Sequence, residues 1–469
     1  MLNNPVRFVA MLLLVAMLAS CGGGVTVSPI VPGGNTSRAT LSLRDAPPAN
    51  VTVLSFELTI NGAVLQPGNV SLVSNPIEVE VKQLEVESAL LNTSNVPAGT
   101  YNSLVVTLSN PELTIQNNSG AAIGTCANNA VCEPPVQLSS ATVTINFNPA
   151  LTITAGTAVN LLLDLDLANS IPMNLSPISP TFTISQLPAV QNTGKVEDLE
   201  DLVGTVQSKD AVNNSFTLQT DPAIPPLTIK VDSNTKFEDF NEVGCAASDF
   251  TCVTTGQMVE VDASLMAGGM LLAKEVGVEN EDQNPEELKG IITALSSPTQ
   301  FQMVVLDEMP NINNLSVGNP LTVNLLSNAT FSIQKGDIDP LDISGLTFAS
   351  ASDLLVGQFV QIRPAAPVSG TPPAVDTDRV RLKRSSLTAT VKAPPSGTNF
   401  TINNLPSLFT VAGITEIDVR ASAAGFEDDH SSSSVLSALM AGDMVSVRGL
   451  LFKTLSGNPV LVATKVRKR

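Results

Sequence analysis

The chain has 469 residues, 43% of them hydrophobic, but no Trp, one Tyr (Tyr101) and one His (His430); its formal net charge is −19 at pH 7. An acid excess of that size repels nucleic acid and anionic headgroups, and a lone histidine argues against imidazole-based metal centres and triads. Leu, Val, Ile and Thr interleaved with Asn, Ser, Pro and Gly are the vocabulary of short strands and many turns, so the chain reads as all-β.

In chain order, the first element is an export signal. Arg7 supplies an early cation, Phe8 to Leu18 an apolar run, and Leu18-Ala19-Ser20-Cys21 follows. About eleven apolar residues are too few for the ~20 that span a bilayer as a helix. The closing residues resemble the lipobox of bacterial lipoproteins. That resemblance implies cleavage before Cys21, lipidation of its thiol, and a membrane partner reached through the N-terminal lipid. Gly22, not Asp, follows the cysteine, which in Gram-negative lipoproteins implies the outer membrane, with periplasmic and surface-facing orientations both open. Residues 1–20 are thus the expected signal peptide, and 21–38 a Gly/Pro/Ser/Asn-rich flexible tether.

Residues 39–190 change in texture. Thr40 opens a strand that stops at Ala46-Pro47, and Leu54, Phe56, Leu58 and Ile60 share one face of the next. Ile77, Val79 and Val81 alternate with Glu78, Glu80 and Lys82; Leu104 to Leu108, Thr142 to Phe147 and Val159 to Leu167 continue the pattern. About eight strands with turns between them predict a β-sandwich. Leu43-Arg-Asp45-Ala-Pro47, Pro97-Ala-Gly-Thr-Tyr101 and Leu163-Asp164-Leu-Asp166-Leu-Ala-Asn-Ser170 occur in that order. Together they resemble the family catalogued as domain of unknown function 4382, with Arg44 where the family usually has Thr. The resemblance implies an exported or lipid-anchored bacterial protein and no known activity. The Pro-Ala-Gly-Thr-Tyr turn is also similar to transthyretin-like and carboxypeptidase regulatory-like sandwiches, so the first domain is expected to be Ig-like or transthyretin-like.

Three repeats follow, at 202–279, 288–384 and 385–469. They open on Leu202-Val-Gly-Thr-Val206, Leu288-Lys-Gly-Ile-Ile292 and Leu387-Thr-Ala-Thr-Val391, and each has a strand centred on Phe216, Phe301 or Phe400. Their clearest anchors are Gly256-Gln-Met-Val-Glu-Val261, Gly357-Gln-Phe-Val-Gln-Ile362 and Gly442-Asp-Met-Val-Ser-Val447. Units of this size suit small closed OB-like β-barrels, which leave no exposed sheet edge. The repeats resemble the family catalogued as domain of unknown function 5666. Acidic stretches at 191–201 and 280–287 read as solvated linkers.

The chemistry is sparse. Cys126/Cys132 and Cys245/Cys252 are close pairs suited to disulfides in an oxidising compartment, with Cys21 reserved for lipid. His430 lies in Glu427-Asp-Asp-His-Ser-Ser-Ser-Ser434, where adjacent acid, base and hydroxyl on a polar loop cannot hold triad geometry. Asp164 and Asp166, two apart on a strand, face the same way; they and Asp337, Asp339 and Asp342 are the only candidate ligands for a metal, calcium, which is otherwise not called for. Acidic residues outnumber basic ones 10 to 2 over 40–190, 11 to 4 over 202–279 and 8 to 7 over 288–384; over 385–469 basic residues lead 8 to 6, ending in Arg467-Lys468-Arg469, expected to be solvated. The expectation is a non-enzymatic, lipid-anchored envelope protein that binds, adheres or scaffolds. Its partner would be an envelope or extracellular polymer or protein. A glycan hydrolase using paired carboxylates and a calcium-stabilised surface protein are the alternatives.

Overall fold

The computed structural model describes residues 36–469, apart from 47–51, 87, 188–197, 221–225, 239, 242, 267–269, 279–286, 310–314, 335–337, 339–341 and 430–434. The expected signal, Cys21 and the tether up to residue 35 lie outside the described residues, as do Asp337, Asp339 and His430; the last three residues of the expected tether, Thr36 to Arg38, belong instead to the first strand. Among the described residues no helix is long and apolar enough to cross a membrane.

Among the described residues the first domain has ten strands, where about eight are expected. They are β1 (Thr36–Ala46), β2 (Thr52–Gln66), β3 (Val70–Val73), β4 (Ile77–Glu80), β5 (Ala89–Pro97), β6 (Gly99–Gln116), β7 (Val131–Cys132), β8 (Thr142–Ile153), β9 (Val159–Asp166) and β10 (Phe182–Leu187). One sheet has the order β10-β9-β1-β5, with β1 and β9 parallel. The second is built around the long β2–β6 pair, with β3, β4, β7 and β8 attached. Inward residues of both sheets, such as Leu41 and Leu163 from one and Phe56 and Leu104 from the other, form one buried core. This is a β-sandwich. The expected alternation through Val81 ends early, because Val81–Glu85 wind into a 3-10 turn capped by Glu80. Tyr101 is buried, and its hydroxyl donates to the Pro97 carbonyl at 2.8 Å, which ties down the Pro-Ala-Gly-Thr-Tyr turn as tyrosine corners do.

The remaining chain forms three closed five-stranded barrels. The first contains β11 (Asp198–Asp210), β12 (Ser215–Gln219), β13 (Leu227–Lys230), β14 (Lys236–Glu238), β15 (Met258–Met266) and β16 (Met270–Val278). The second has β17 (Glu287–Ser297), β18 (Gln300–Met309), β19 (Pro320–Ile333), β20 (Phe359–Pro364) and β21 (Ala374–Lys383). The third has β22 (Ser385–Val391), β23 (Asn399–Asn403), β24 (Ile417–Arg420), β25 (Gly425–Asp428), β26 (Met444–Phe452) and β27 (Val460–Lys468). Each ring closes in the same way. Leaving aside the short β14 and β25, which pair in parallel with β16 and β27, the ring has five strands: the opening strand pairs with the second and the fourth, and the third and fifth pair in parallel, as β13–β16, β19–β21 and β24–β27. That is the OB arrangement expected from the repeats. Phe216, Phe301 and Phe400 are all buried in their barrels.

The repeat anchor has a backbone cause. Gly256, Gly357 and Gly442 have φ of 87°, 89° and 90°, a conformation that costs an L side chain about 1–2 kcal/mol. Each glycine N–H donates to the opening strand, at the Val206, Ile292 or Val391 carbonyl. The next residue caps the turn: Gln257 accepts from the Thr254 N–H, Gln358 from Leu355 and Asp443 from Met440. Gly-Gln/Asp is therefore the signature of the turn that feeds the fourth strand.

Of the two expected linkers, residues 191–197 and 280–286 lie outside the described residues; Asp198 to Asp201 belong to β11 and Glu287 to β17. The barrels also pack against one another. Leu450, Phe452, Val460 and Val462 of the third barrel share the buried core of the second. Leu54 of the sandwich, Val304, Leu306 and Phe359 of the second barrel, and Leu408 of the third form a further buried cluster. At these two contacts the outward faces of the barrels are apolar where a neighbour covers them.

Candidate functional site

The densest set of chemically capable side chains lies between the first and second barrels. Along β15, Val259, Val261 and Ala263 fill the first barrel, while Glu260, Asp262 and Ser264 alternate to its outside. Glu275 on β16 and Glu238 on β14 join them. The opposing surface carries Lys289 on β17, Arg381 and Lys383 on β21, and Arg384. Acids come from one barrel and bases from the other.

The geometry is tight. The Lys289 and Lys383 ammonium groups donate to the two oxygens of Glu260, at 2.8 and 2.7 Å. Arg384 spans Asp262 and Glu275, at 2.5 Å to each, and Arg381 meets Glu238 at 3.2 Å. Gln334 reaches Glu260 and Glu275 with its amide, at 3.5 and 3.4 Å. Glu260, Asp262, Glu275, Lys289, Lys383 and Arg384 are all buried. Such burial is tolerable because each charge is paired.

Environment splits these acids. Burial opposes ionisation of Glu260, but the Lys289 and Lys383 charges overcome it and hold its carboxyl well below the usual range. Burial pushes Glu275 well above that range; Arg384 works against this, and the nearby Asp262 and Glu238 add to it. Glu287, at the edge, is raised by burial against the pull of Lys289 and a hydrogen bond from Gln361. A depressed and a raised carboxyl side by side is the pattern of a general acid–base pair. Here, however, Glu260, Asp262, Glu275, Gln334, Arg381 and Lys383 line a cavity only large enough for a water. The carboxylate oxygens there are held by cations. What the arrangement can do is fasten two barrels in one orientation.

A second charged seam joins the sandwich to the third barrel, and it places the expected ligand pair. Asp164 accepts from Arg44 at 2.9 Å and lies 3.6 Å from Arg467 of the third barrel. Asp166 instead caps the short helix at Leu167–Ser170, accepting from the Asn169 N–H at 3.0 Å and from its side chain. The two carboxylates are thus occupied with different tasks. Asp342 also serves docking: it accepts from the Ser422 N–H at 3.2 Å and from its hydroxyl, and its carbonyl accepts from Arg420. Among the described residues no three His, Cys, Asp or Glu side chains group as a metal site would require.

The basic run Arg467-Lys468-Arg469 is not solvated as expected. Arg467 is 1% exposed, bound by Asp429 at 2.9 Å, and both Arg467 and Arg469 donate to the Glu85 carbonyl. Glu427 and Asp428 end β25, and Glu427 faces Arg44 at 3.5 Å, so the start of the expected polar loop is interface. Both cysteine pairs are bonded, with Cα–Cα distances of 5.8 Å for Cys126–Cys132 and 5.7 Å for Cys245–Cys252.

Sequence reading did not single out Glu260, Asp262, Glu275, Lys289, Lys383 or Arg384. Its usable signal was the charge imbalance between units, together with Glu260 and Asp262 at alternate positions of an otherwise apolar strand.

Comparison with known proteins agrees with this architecture. Residues 36–177 match the family described as Domain of unknown function (DUF4382), and 203–277 and 398–467 match that described as Domain of unknown function (DUF5666). The matches fall on the sandwich and on the first and third barrels; the second barrel shares their topology. No curated protein matches the chain.

Proposed function

From the premise that the chain joins a DUF4382 domain to DUF5666 repeats, we propose that it is an exported, lipid-anchored, non-enzymatic scaffold of the cell envelope. One observation carries the reading. The charged side chains that could do chemistry are used to lock domains together, acid against base across the first and second barrels. A body built in this way presents its outer surfaces in a fixed arrangement, which suits binding or adhesion to a polymer or protein partner. Two disulfides in small loops fit an oxidising compartment, and Cys21, preceded by Leu-Ala-Ser, supplies the anchor.

The test joins two measurements on the chain expressed with its native leader. Metabolic labelling with an alkyne fatty acid is expected to mark the protein in the membrane fraction, with Cys21→Ser unlabelled. Equal labelling of the variant would sink the anchor. Small-angle scattering of the Cys21→Ser protein is expected to give one compact particle; a profile of four loosely linked bodies would sink the scaffold.

A further inference from the structure

We propose that the sandwich forms an internal amide bond, joining the Lys82 side-chain nitrogen to the Asp45 carboxyl carbon, with Glu85 as the base. Asp45 ends β1, in the Asp45-Ala46-Pro47 motif for which the function above has no use. Alternation along β1 sets it on the same face as Leu41 and Leu43, inside the sandwich core. It is 0% exposed, and neither carboxyl oxygen has a hydrogen-bond partner. A buried acid with nothing bonded to it is costly, and packing alone does not account for it.

The topology brings an amine and a base to this acid. The β1–β5 ladder runs as far as Leu43 opposite Ala89. Asp45, two residues further on, therefore comes level with the 3-10 turn Val81–Glu85 that leads towards β5, and the charges of Lys82 and Glu85 both act on it. Within that turn the Lys82 ammonium donates to the Glu85 carboxylate at 2.5 Å. Glu85 is buried, and its other oxygen accepts from the Thr388 hydroxyl at 3.3 Å. A nucleophile with a base bonded to it thus lies beside a carboxyl that can receive it. Burial is the main cause that lifts Asp45 well above the usual carboxyl range; Glu85 and Asp164 add to the rise, and Arg469 and Lys82 oppose it. The neutral acid that burial favours is the form an amine can attack.

The step balances without a cofactor. The Glu85 carboxylate takes one proton from the Lys82 ammonium, and the flexible four-carbon stem carries the freed amine to Asp45. As the nitrogen adds to the carboxyl carbon, the C–N bond forms and the C–OH bond breaks. The hydroxyl leaves as water with a second proton from the nitrogen, and Glu85 then returns its own proton to solvent. Asp45 is closed to water, which disfavours the reverse hydrolysis, and holding both groups in one fold makes the reaction unimolecular. The product ties β1, the first strand, to the turn between β4 and β5, so that β1 cannot be peeled from the sandwich.

The experiment is intact-mass and tryptic-peptide mass spectrometry of the whole chain lacking its leader, after prolonged incubation in the folded, oxidised state. The protein is expected to be about 18 Da lighter than its sequence with both disulfides requires, the mass of one water, and trypsin is expected not to cut after Lys82. Lys82→Arg keeps a cation beside Glu85 and is expected to have its full mass. Asp45→Asn is expected to lose ammonia instead, about 17 Da. Glu85→Gln is expected to link about a hundredfold more slowly. A wild-type chain of full mass that trypsin cuts after Lys82 overturns the proposal, and that arm needs no variant to fold. A loss of water that persists in Lys82→Arg overturns it too, because the dehydration then lies elsewhere. Glu85→Gln that links as fast as the wild type overturns the part given to Glu85.

Discussion

Glu260→Gln is the sharpest probe of the inter-barrel seam. It removes the charge that two buried ammonium groups share, at 2.8 and 2.7 Å, and leaves Lys289 and Lys383 facing an amide. Both lysines are 3% exposed, so neither can turn to water without separating the barrels. Breaking a buried pair in this way typically costs about 3–5 kcal/mol, most of it the penalty of buried cations that lose their shared counter-charge, Lys289 keeping only the half-exposed Asp307 at 3.3 Å. The reading also predicts a contrast. Replacing all three groups together, as Glu260→Met with Lys289→Met and Lys383→Met, removes every stranded charge and is expected to restore stability to about the wild-type level. Urea unfolding at neutral pH reads both, through the phase that reports the first two barrels. Acid titration adds a signature. Glu260 is depressed, so its contribution is present above the ordinary Glu value and is lost as pH falls through its lowered value. Glu275 is raised, so its contribution is present below the ordinary value and is lost as pH climbs through the raised one. Glu260→Gln therefore flattens the acid arm alone. A loss below about 1 kcal/mol for Glu260→Gln, or a triple variant as weak as the single, would refute the claim that the seam is dry and closed.

Three further outcomes are expected. A Cβ at Gly357 would lie 2.3 Å from the Phe409 ring of the third barrel, whereas one at Gly442 meets nothing. Gly442→Ala should therefore cost about 1–2 kcal/mol from its backbone alone, and Gly357→Ala roughly 1–3 kcal/mol more, by thermal or urea unfolding. Tyr101→Phe loses only the hydroxyl bond to Pro97 and should destabilise the sandwich by about 1 kcal/mol, seen in its own unfolding transition. Replacing Cys245 and Cys252 by Ser opens a short loop and should lower the stability of the first barrel by about 2–3 kcal/mol, a difference that vanishes when both proteins are measured under reduction.

The sequence alone determined a good deal. Alternating apolar residues, the Tyr101 turn and the three Gly anchors specify strands and turns through local rules: side-chain period two, a hydroxyl within reach of a nearby carbonyl, and a positive φ only glycine adopts cheaply. Those rules yield an all-β chain with a sandwich and three barrels. They do not say what lies against the outward face of a strand. Glu260, Asp262 and Glu275 look in the sequence like solvated outward residues, and Arg467 to Arg469 like a solvated basic run. Only tertiary packing set them against Lys289, Lys383 and Arg384, or against Asp429 and Glu85, tens to hundreds of positions away. Asp45 shows the limit most clearly, because nothing in Leu-Arg-Asp-Ala-Pro says that water will be absent there. Local structure depends on neighbours along the chain, which the sequence displays. Burial, and with it the charge state of a carboxyl, depends on neighbours in space, and these exist only once the domains have packed.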